Sequence, residues 1–324
     1  MSANIAIISV VLFAGYGLAV GVLFGFFGMG GFLVTPALLV SGYDTRVAVG
    51  SGLAFVFGTS LIATIRHRDL GQVNRRLGVA LFVSATAGIA LGRHLVAGLS
   101  EAGIAGAVVS TAYVVLLLGV GAFVYRDADA DEGGSATRIA ARVRAVSLPP
   151  TAATESGRVS LVVVLAVGLV VGVLAGMLGV GGGFLLVPAL VYGLGLAAPV
   201  AVGTNVFQMT VSAAYGTVSY ASGGFVALPV VLALLVGSTL GARVGSAATN
   251  HVDEDDIKGA FAAVLVGGGL AVASKHLAGV LGVAALRPLG QALLFGSGVI
   301  VSAVVVARFL AALRSADANE RATA

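Results

Sequence analysis

The sequence predicts an all-α, polytopic integral membrane protein of two homologous halves. Each half carries a Gly-broken helix and a short half-helix, and one extra helix is added at the C-terminal end. Three observations predict this: how few charges there are and where they lie, the length of the apolar runs between them, and an internal repeat. The chain has 324 residues, of which 58% are hydrophobic and 10% charged, with a mean hydropathy of +1.07. Soluble domains average about 25% charged residues, so a water-facing surface cannot be built from this set. Residues 5–27, 47–65, 77–92, 104–124, 159–192, 200–242, 259–274 and 289–307 carry at most one charge each. Several reach the roughly 20 apolar residues that a membrane span needs. All fourteen Asp and Glu lie outside these interiors or at their edges.

The elements follow in order. The N-terminus has no positive region ahead of its apolar run and reads as the first span rather than a cleaved signal. Residues 126–158 break the apolar pattern with Arg126-Asp-Ala-Asp-Ala-Asp-Glu-Gly-Gly-Ser, four further Arg, and Pro149-Pro150. Mixed charge, Gly and Pro mark this stretch as a hydrophilic linker loop. It separates a first membrane repeat, 1–125, from a second, 159–280, and residues 281–324 hold the extra helix and tail. Gly21-Val-Leu-Phe-Gly-Phe-Phe-Gly-Met-Gly-Gly aligns with Gly172-Val-Leu-Ala-Gly-Met-Leu-Gly-Val-Gly-Gly, identical at seven of eleven positions. Pro36-Ala-Leu then matches Pro188-Ala-Leu. Further on the spacing settles at 153 residues: Val49-Gly50 with Val202-Gly203, Gly71 with Gly224, Thr86 with Thr239, Gly88 and Gly92 with Gly241 and Gly245. Internal symmetry of this kind recurs in transporter folds. Each half reads as a long helix, a Gly-rich break, a short apolar helix and three more long helices. The short segments, 32–40 and 184–192, cannot cross about 30 Å of hydrocarbon and read as half-helices buried within protein.

The breaks are the most informative motif. Gly28, Gly30 and Gly31 in the first half, and Gly179, Gly181, Gly182 and Gly183 in the second, are candidate substrate contacts. Gly permits the dihedrals of a helix interruption and the close approach of a ligand to backbone. A helix starts directly after each break, so its unpaired amides and its dipole favour an anion there. Tight helix crossing is the competing role for these glycines. A phosphate-binding P-loop is excluded because no Lys follows either break. A dinucleotide fingerprint is excluded because Leu33 and Phe184 stand where its last Gly belongs and no βαβ unit surrounds it. Polar residues follow the Val-Gly step of each half. Thr204, Gln208 and Ser212 share one helix face, and their repeat mates are Ser51, Phe55 and Thr59. Ser51, Thr59, Thr204, Asn205 and Gln208 are therefore candidate donors to a sulfonate, sulfite or carboxylate. Interhelical hydrogen bonding is the alternative.

The doubled Gly-x-x-x-Gly-x-x-Gly-x-Gly-Gly pattern with Pro-Ala-Leu resembles the TauE/SafE family of sulfite and organosulfonate exporters. Val-Gly-Ser or Val-Gly-Thr-Asn, and the pairs Gly88–Gly92 and Gly241–Gly245, extend the resemblance over roughly residues 5–275. It implies a multi-span carrier of small, often sulfur-containing anions in the cell membrane. The first break has one Gly fewer than the second, with Phe32 at the position of Gly183, and the last helix lies outside the family pattern.

Charge sets the topology expectation. Arg66, Arg68, Arg75 and Arg76, and the linker arginines, both fit cytoplasmic loops. If the short half-helix counts as a crossing the repeats are inverted; if it is re-entrant they are parallel. The uncharged stretch at 221–227 favours inversion. No Cys is present, and the four His (His67, His94, His251, His276) are scattered. No catalytic or metal site and no cofactor is expected, because acid–base and metal chemistry lack residues inside the spans. The expected partners are a small anionic substrate and the lipid bilayer, with no nucleic acid; the oligomeric state is left open. An anion channel and a purely structural role are the rival readings.

Overall fold

The computed structural model describes residues 2–27, 31–69, 71–128, 151–154, 157–194, 196–248, 254–283 and 285–323. In the first half, α1 is Ser2–Phe27, a 3-10 turn occupies Gly31–Leu33, and α2 is Val34–Val40. Three long helices follow: α3 (Thr45–Asp69), α4 (Arg75–Glu101) and α5 (Ala105–Ala128). The second half repeats this order with α6 (Leu161–Leu178), α7 (Gly183–Pro188) and a π-turn (Ala189–Gly193). It continues with α8 (Ala198–Ala221), α9 (Leu228–Ala248) and α10 (Glu254–Leu281). The extra helix α11 runs from Leu286 to Thr323, longer than its apolar core alone suggests. Among the described residues, seven helices are long and apolar enough to cross a membrane, and Val10–Gly25 of α1 is a shorter apolar stretch. The protein is a multi-pass membrane protein.

One element departs from the expectation of a plain loop at 126–158. Thr151–Thr154 and Gly157–Ser160 pair as two antiparallel strands, β1 and β2, with Thr151 opposite Ser160. Thr and Val favour extended backbone, and a hairpin satisfies the backbone groups of a segment too polar to enter the membrane.

Two compact units form. The first gathers Met1–Gly42, Ser110–Asp129 and Leu232–Ala324, and the second Tyr43–Val109 and Ala130–Val231. Each unit therefore draws on both halves. In the first unit, Gly17, Gly21 and Gly25 of α1 face the backbone of Leu234, Ser238 and Ala242 on α9. The residue numbers rise together, so the two helices run parallel. In the second unit, Gly168, Gly172 and Gly176 of α6 face Leu81, Ala85 and Ile89 of α4 in the same sense. A Cβ on Gly172 would lie 2.7 Å from Ala85 Cα, and one on Gly176 would lie 2.8 Å from Ile89 Cα. Gly88 and Gly92 of α4 abut α6 in turn, and Gly237 and Gly241 of α9 abut α1. Small residues four apart thus allow backbone-to-backbone contact, the packing that lipid-embedded helices depend on. The first helix of one half is seated on the fourth helix of the other, in both units.

The third helices behave differently. Gly50 of α3 packs on Tyr220 of α8, Leu53 on Gly216, and Thr64 Oγ1 lies 2.8 Å from Thr210 Oγ1. Numbers on α3 rise as those on α8 fall, so these repeat mates are antiparallel. Equivalent helices that point in opposite directions are what an inverted repeat requires. Gly71 and Gly224, 153 residues apart, end the turns after α3 and α8 with φ of 70° and 76°, values only Gly adopts without strain.

In the first unit, every residue of α2 is buried. Its last carbonyls would be orphaned. Leu39 O accepts from Lys275 Nζ, and Val40 O accepts from Gln291 Nε2 at 3.4 Å.

Candidate functional site

The second glycine break lies in the second unit and is described throughout. α6 contains no polar side chain, so nothing in its sequence but glycine can stop it. It stops because Gly179 takes the left-handed conformation, φ 72° and ψ 20°, and turns its N–H back to Ala175 O. Gly181 and Gly182 are also left-handed, at φ 68° and 76°. Each would cost an L side chain roughly 1–2 kcal/mol. The carbonyl of Gly176, freed by this early ending, accepts from the Tyr220 hydroxyl at 2.8 Å. α7 starts at once. The amides of Leu185 and Leu186 both donate to Gly182 O, at 3.1 and 2.9 Å. The amides ahead of them have no acceptor within the helix and stand at its positive end.

Three helices surround the break. A Cβ on Gly181 would overlap Val56 and lie 3.0 Å from Met209 Cε; one on Gly182 would overlap Val171. A Cβ on Gly183 would lie 2.9 Å from Met209 Sδ and 3.0 Å from Asn205 Nδ2. Val56 is the twelfth of 25 residues in α3 and Met209 the twelfth of 24 in α8. The two are repeat mates, 153 apart, so the break sits at mid-height of the antiparallel pair.

A polar chain runs along α8 towards the break. Ser212 Oγ donates to Gln208 Oε1 at 3.2 Å, and Gln208 Nε2 donates to Asn205 Oδ1 at 3.4 Å. Asn205 Nδ2 then donates to Met209 Sδ at 3.2 Å. All three polar residues are buried, Asn205 at 0% and Gln208 at 1% exposure. A thioether is a weak acceptor. The chain of donors therefore ends on a poorly satisfied amide beside Gly183, in an otherwise apolar setting.

The other sequence candidates are placed as follows. Ser51 and Thr204 are fully buried and hold loops: Ser51 Oγ accepts from Ala227 N at 2.9 Å, and Thr204 Oγ1 from Asn74 N at 3.0 Å. Thr59 Oγ1 donates within its own helix, to Phe55 O at 3.0 Å and Val56 O at 3.1 Å. Gly31 opens the 3-10 turn of the first unit, where it is buried. Gly28 and Gly30 lie outside the described residues. Asn205 is thus brought to Gly183, with Gln208 behind it, while Gly179, Gly181 and Gly182 shape the break itself. Sequence reasoning passed over Val56, Met209 and Tyr220. The 153-residue spacing links Val56 to Met209 and would have found them as the point where the halves cross. Tyr220 offers no such signal.

Residues 13–272 match the family described as Sulfite exporter TauE/SafE. The chain is 26% identical over 250 residues to the Bacillus subtilis "Probable membrane transporter protein YunE", covering 74% of this chain and 88% of that protein. It is also 26% identical over 247 residues to the "Probable membrane transporter protein YdhB" of the same organism, with 74% and 91% covered. A "Probable membrane transporter protein" of Xylella fastidiosa is 26% identical over 246 residues, with 74% and 84% covered. No solved structure matches the chain.

Proposed function

The chain belongs to the Sulfite exporter TauE/SafE family and is a multi-pass membrane transporter, and on that premise we propose that it is a secondary carrier of a small, sulfur-containing oxyanion such as sulfite or a sulfonate. The observation that carries this reading is the side-chain amide of Asn205 beside Gly183, one turn from the mid-height residue Met209 of α8, whose Nδ2 meets only a thioether among the described residues. An oxyanion oxygen is a far better acceptor than sulfur, so the amide gains by exchanging one for the other. The amides of Gly183 and Phe184, which have no acceptor within α7, add backbone donors. Without side chains, Gly181, Gly182 and Gly183 let Val56, Val171, Met209 and Asn205 close directly onto the backbone of the break. Gln208 and Ser212 hold the Asn205 side chain in orientation. Because all these donors are neutral, they compensate a dehydrated anion without a fixed positive charge that would trap it.

The test is titration of purified protein with sulfite, alkylsulfonates, thiosulfate, sulfate and carboxylates, together with counterflow in proteoliposomes. Saturable binding of the sulfur oxyanions, lost in Asn205→Leu, is expected. Flux that rises without saturation and shows no counterflow would make the protein a channel. Equal binding by Asn205→Leu and the native protein would move the site elsewhere.

A further inference from the structure

Asn205 and Gln208 are buried at 0% and 1% exposure, so an anion reaches them only if something opens. Two contacts in the second unit are built alike. Ser51 Oγ accepts the backbone N–H of Ala227, and Thr204 Oγ1 accepts that of Asn74. Ser51 and Thr204 are repeat mates, 153 apart, and so are Asn74 and Ala227. Beside each hydroxyl the preceding glycine lies directly against a loop backbone: Gly50 on the Phe225 carbonyl, Gly203 on the Gln72 carbonyl. Phe225 and Gln72 are again 153 apart. Four residue pairs therefore obey one symmetry operation.

The amide held is the same structural amide each time. Asn74 is the N-cap of α4, its side chain accepting from Leu77 N and its carbonyl from Gly78 N. Ala227 holds the equivalent place before α9, its carbonyl accepting from Val230 N and Val231 N. The N–H of a cap residue has no partner in its own helix, and in a capping box a Glu three residues on satisfies it. Here a hydroxyl of the other half does so. Each contact is therefore a tie between halves at the start of a long helix, made by one neutral hydrogen bond; at the Ser51 tie the Arg46 guanidinium also lies over the Phe225 ring, 4.2 Å from its centroid.

The ties lie at opposite ends of the antiparallel pair. Ser51 is near the start of α3, whereas Thr204 meets the turn beyond its last residue, Asp69. At 1.5 Å per residue the 18 residues from Ser51 to Asp69 span about 27 Å, close to the roughly 30 Å of the hydrocarbon layer. The break lies between them, and Asn205, which directly follows Thr204 on α8, reaches from that tie towards it with its side chain. We propose that these two hydroxyl–amide ties are the gates of the transport cycle, Ser51–Ala227 closing one side and Thr204–Asn74 the other, released in turn. The proposal rests on the carrier reading. It gives Ser51 and Thr204 the role of positioning residues that do not themselves bind the anion.

The absence of Cys from all 324 residues makes the test clean. Asn74→Cys and Ala227→Cys are made singly and labelled with a membrane-impermeant maleimide in right-side-out and inside-out vesicles. Each is expected to label from one side only, and the two from opposite sides. Bridging Ser51→Cys to Ala227→Cys with a short bifunctional thiosulfonate should stop sulfite flux and raise labelling of Asn74→Cys several-fold. Bridging Thr204→Cys to Asn74→Cys should do the reverse at Ala227→Cys. Where a bridged protein is not monodisperse, Ser51→Ala or Thr204→Val removes the acceptor alone. Ser51→Ala should then raise labelling at Ala227→Cys and lower it at Asn74→Cys, and Thr204→Val should do the opposite. Labelling of both positions from the same side, or labelling at one position that ignores the state of the other, overturns the gates. The labelling arm needs no substrate. Reciprocal labelling in a protein that moves no sulfite upholds the gates and refutes the proposed substrate instead.

Discussion

Replacing Gly181 with Ala separates two reasons why a glycine stands at the break. Gly181 has φ 68°, and an L residue there costs roughly 1–2 kcal/mol. Its Cβ would also overlap Val56 and come to 3.0 Å from Met209 Cε. Overpacking of this kind typically costs about 1–3 kcal/mol. Gly181→Ala should therefore destabilise the protein by roughly 2–5 kcal/mol, the sum of the two. Val56→Ala removes the overlapping methyl groups and leaves the backbone strain untouched. In the double variant the overlap with Val56 disappears and only the Met209 contact at 3.0 Å remains, so the two changes should couple by about 1–3 kcal/mol. The assay is denaturant unfolding of detergent-purified protein across the four members of the cycle, with sulfite binding measured on each. Strain without overlap predicts additive effects, within about 0.3–0.5 kcal/mol. That outcome would refute the placement of Val56 against the break.

Other perturbations follow from the same geometry. Asn205→Leu and Gln208→Leu should each weaken sulfite binding about 5- to 150-fold, the ~1–3 kcal/mol of one buried hydrogen bond, while Phe55→Leu changes it far less; titration calorimetry reads this directly. Gly172→Leu should leave no monodisperse protein on size-exclusion chromatography, because its side chain would enter the Ala85 backbone, whereas Gly98→Leu, with nothing within 4 Å of its Cβ, should behave as native. Asp44→Asn removes an exposed ion pair to Arg46 at 3.8 Å, worth about 0–1 kcal/mol. No carboxylate lies in the interior of a span, so the transport rate of Asp44→Asn in proteoliposomes should stay within about twofold of native.

Much of this architecture can be read directly from residue types. Long uncharged runs dictate helices, because lipid leaves every backbone group to be satisfied within its own segment. The repeat was visible in glycines, since glycine is where backbone geometry rather than side-chain chemistry is fixed. Asn205 and Gln208 stood out because an amide in an apolar run demands a partner. What could not be read is who the partners are. The acceptors Ser51 and Thr204 meet backbone amides 176 and 130 residues away, and a backbone amide has no sequence signature. The helix pairs α1–α9 and α4–α6 were equally hidden. Gly-x-x-x-Gly announces a close neighbour and says nothing about which helix supplies it. The strand pair Thr151–Thr154 and Gly157–Ser160 is hidden in the sequence because mixed charge and proline around it point to irregular chain.

The seating of each half's first helix on the other half's fourth has a consequence for the order of synthesis. α1 leaves the ribosome early, yet the helix that covers its glycine stripe, α9, follows roughly 220 residues later. At about 5–20 residues per second, that is a delay of roughly 10–45 s. Throughout it, a stripe shaped for backbone contact faces only lipid chains, which fill it poorly. α4 waits for α6 in the same way, but for a shorter time. A nascent chain released after the linker would hold neither completed pair. The bilayer would then contain a half-protein with two open grooves, and insertion quality control would meet this before any loss of transport was felt.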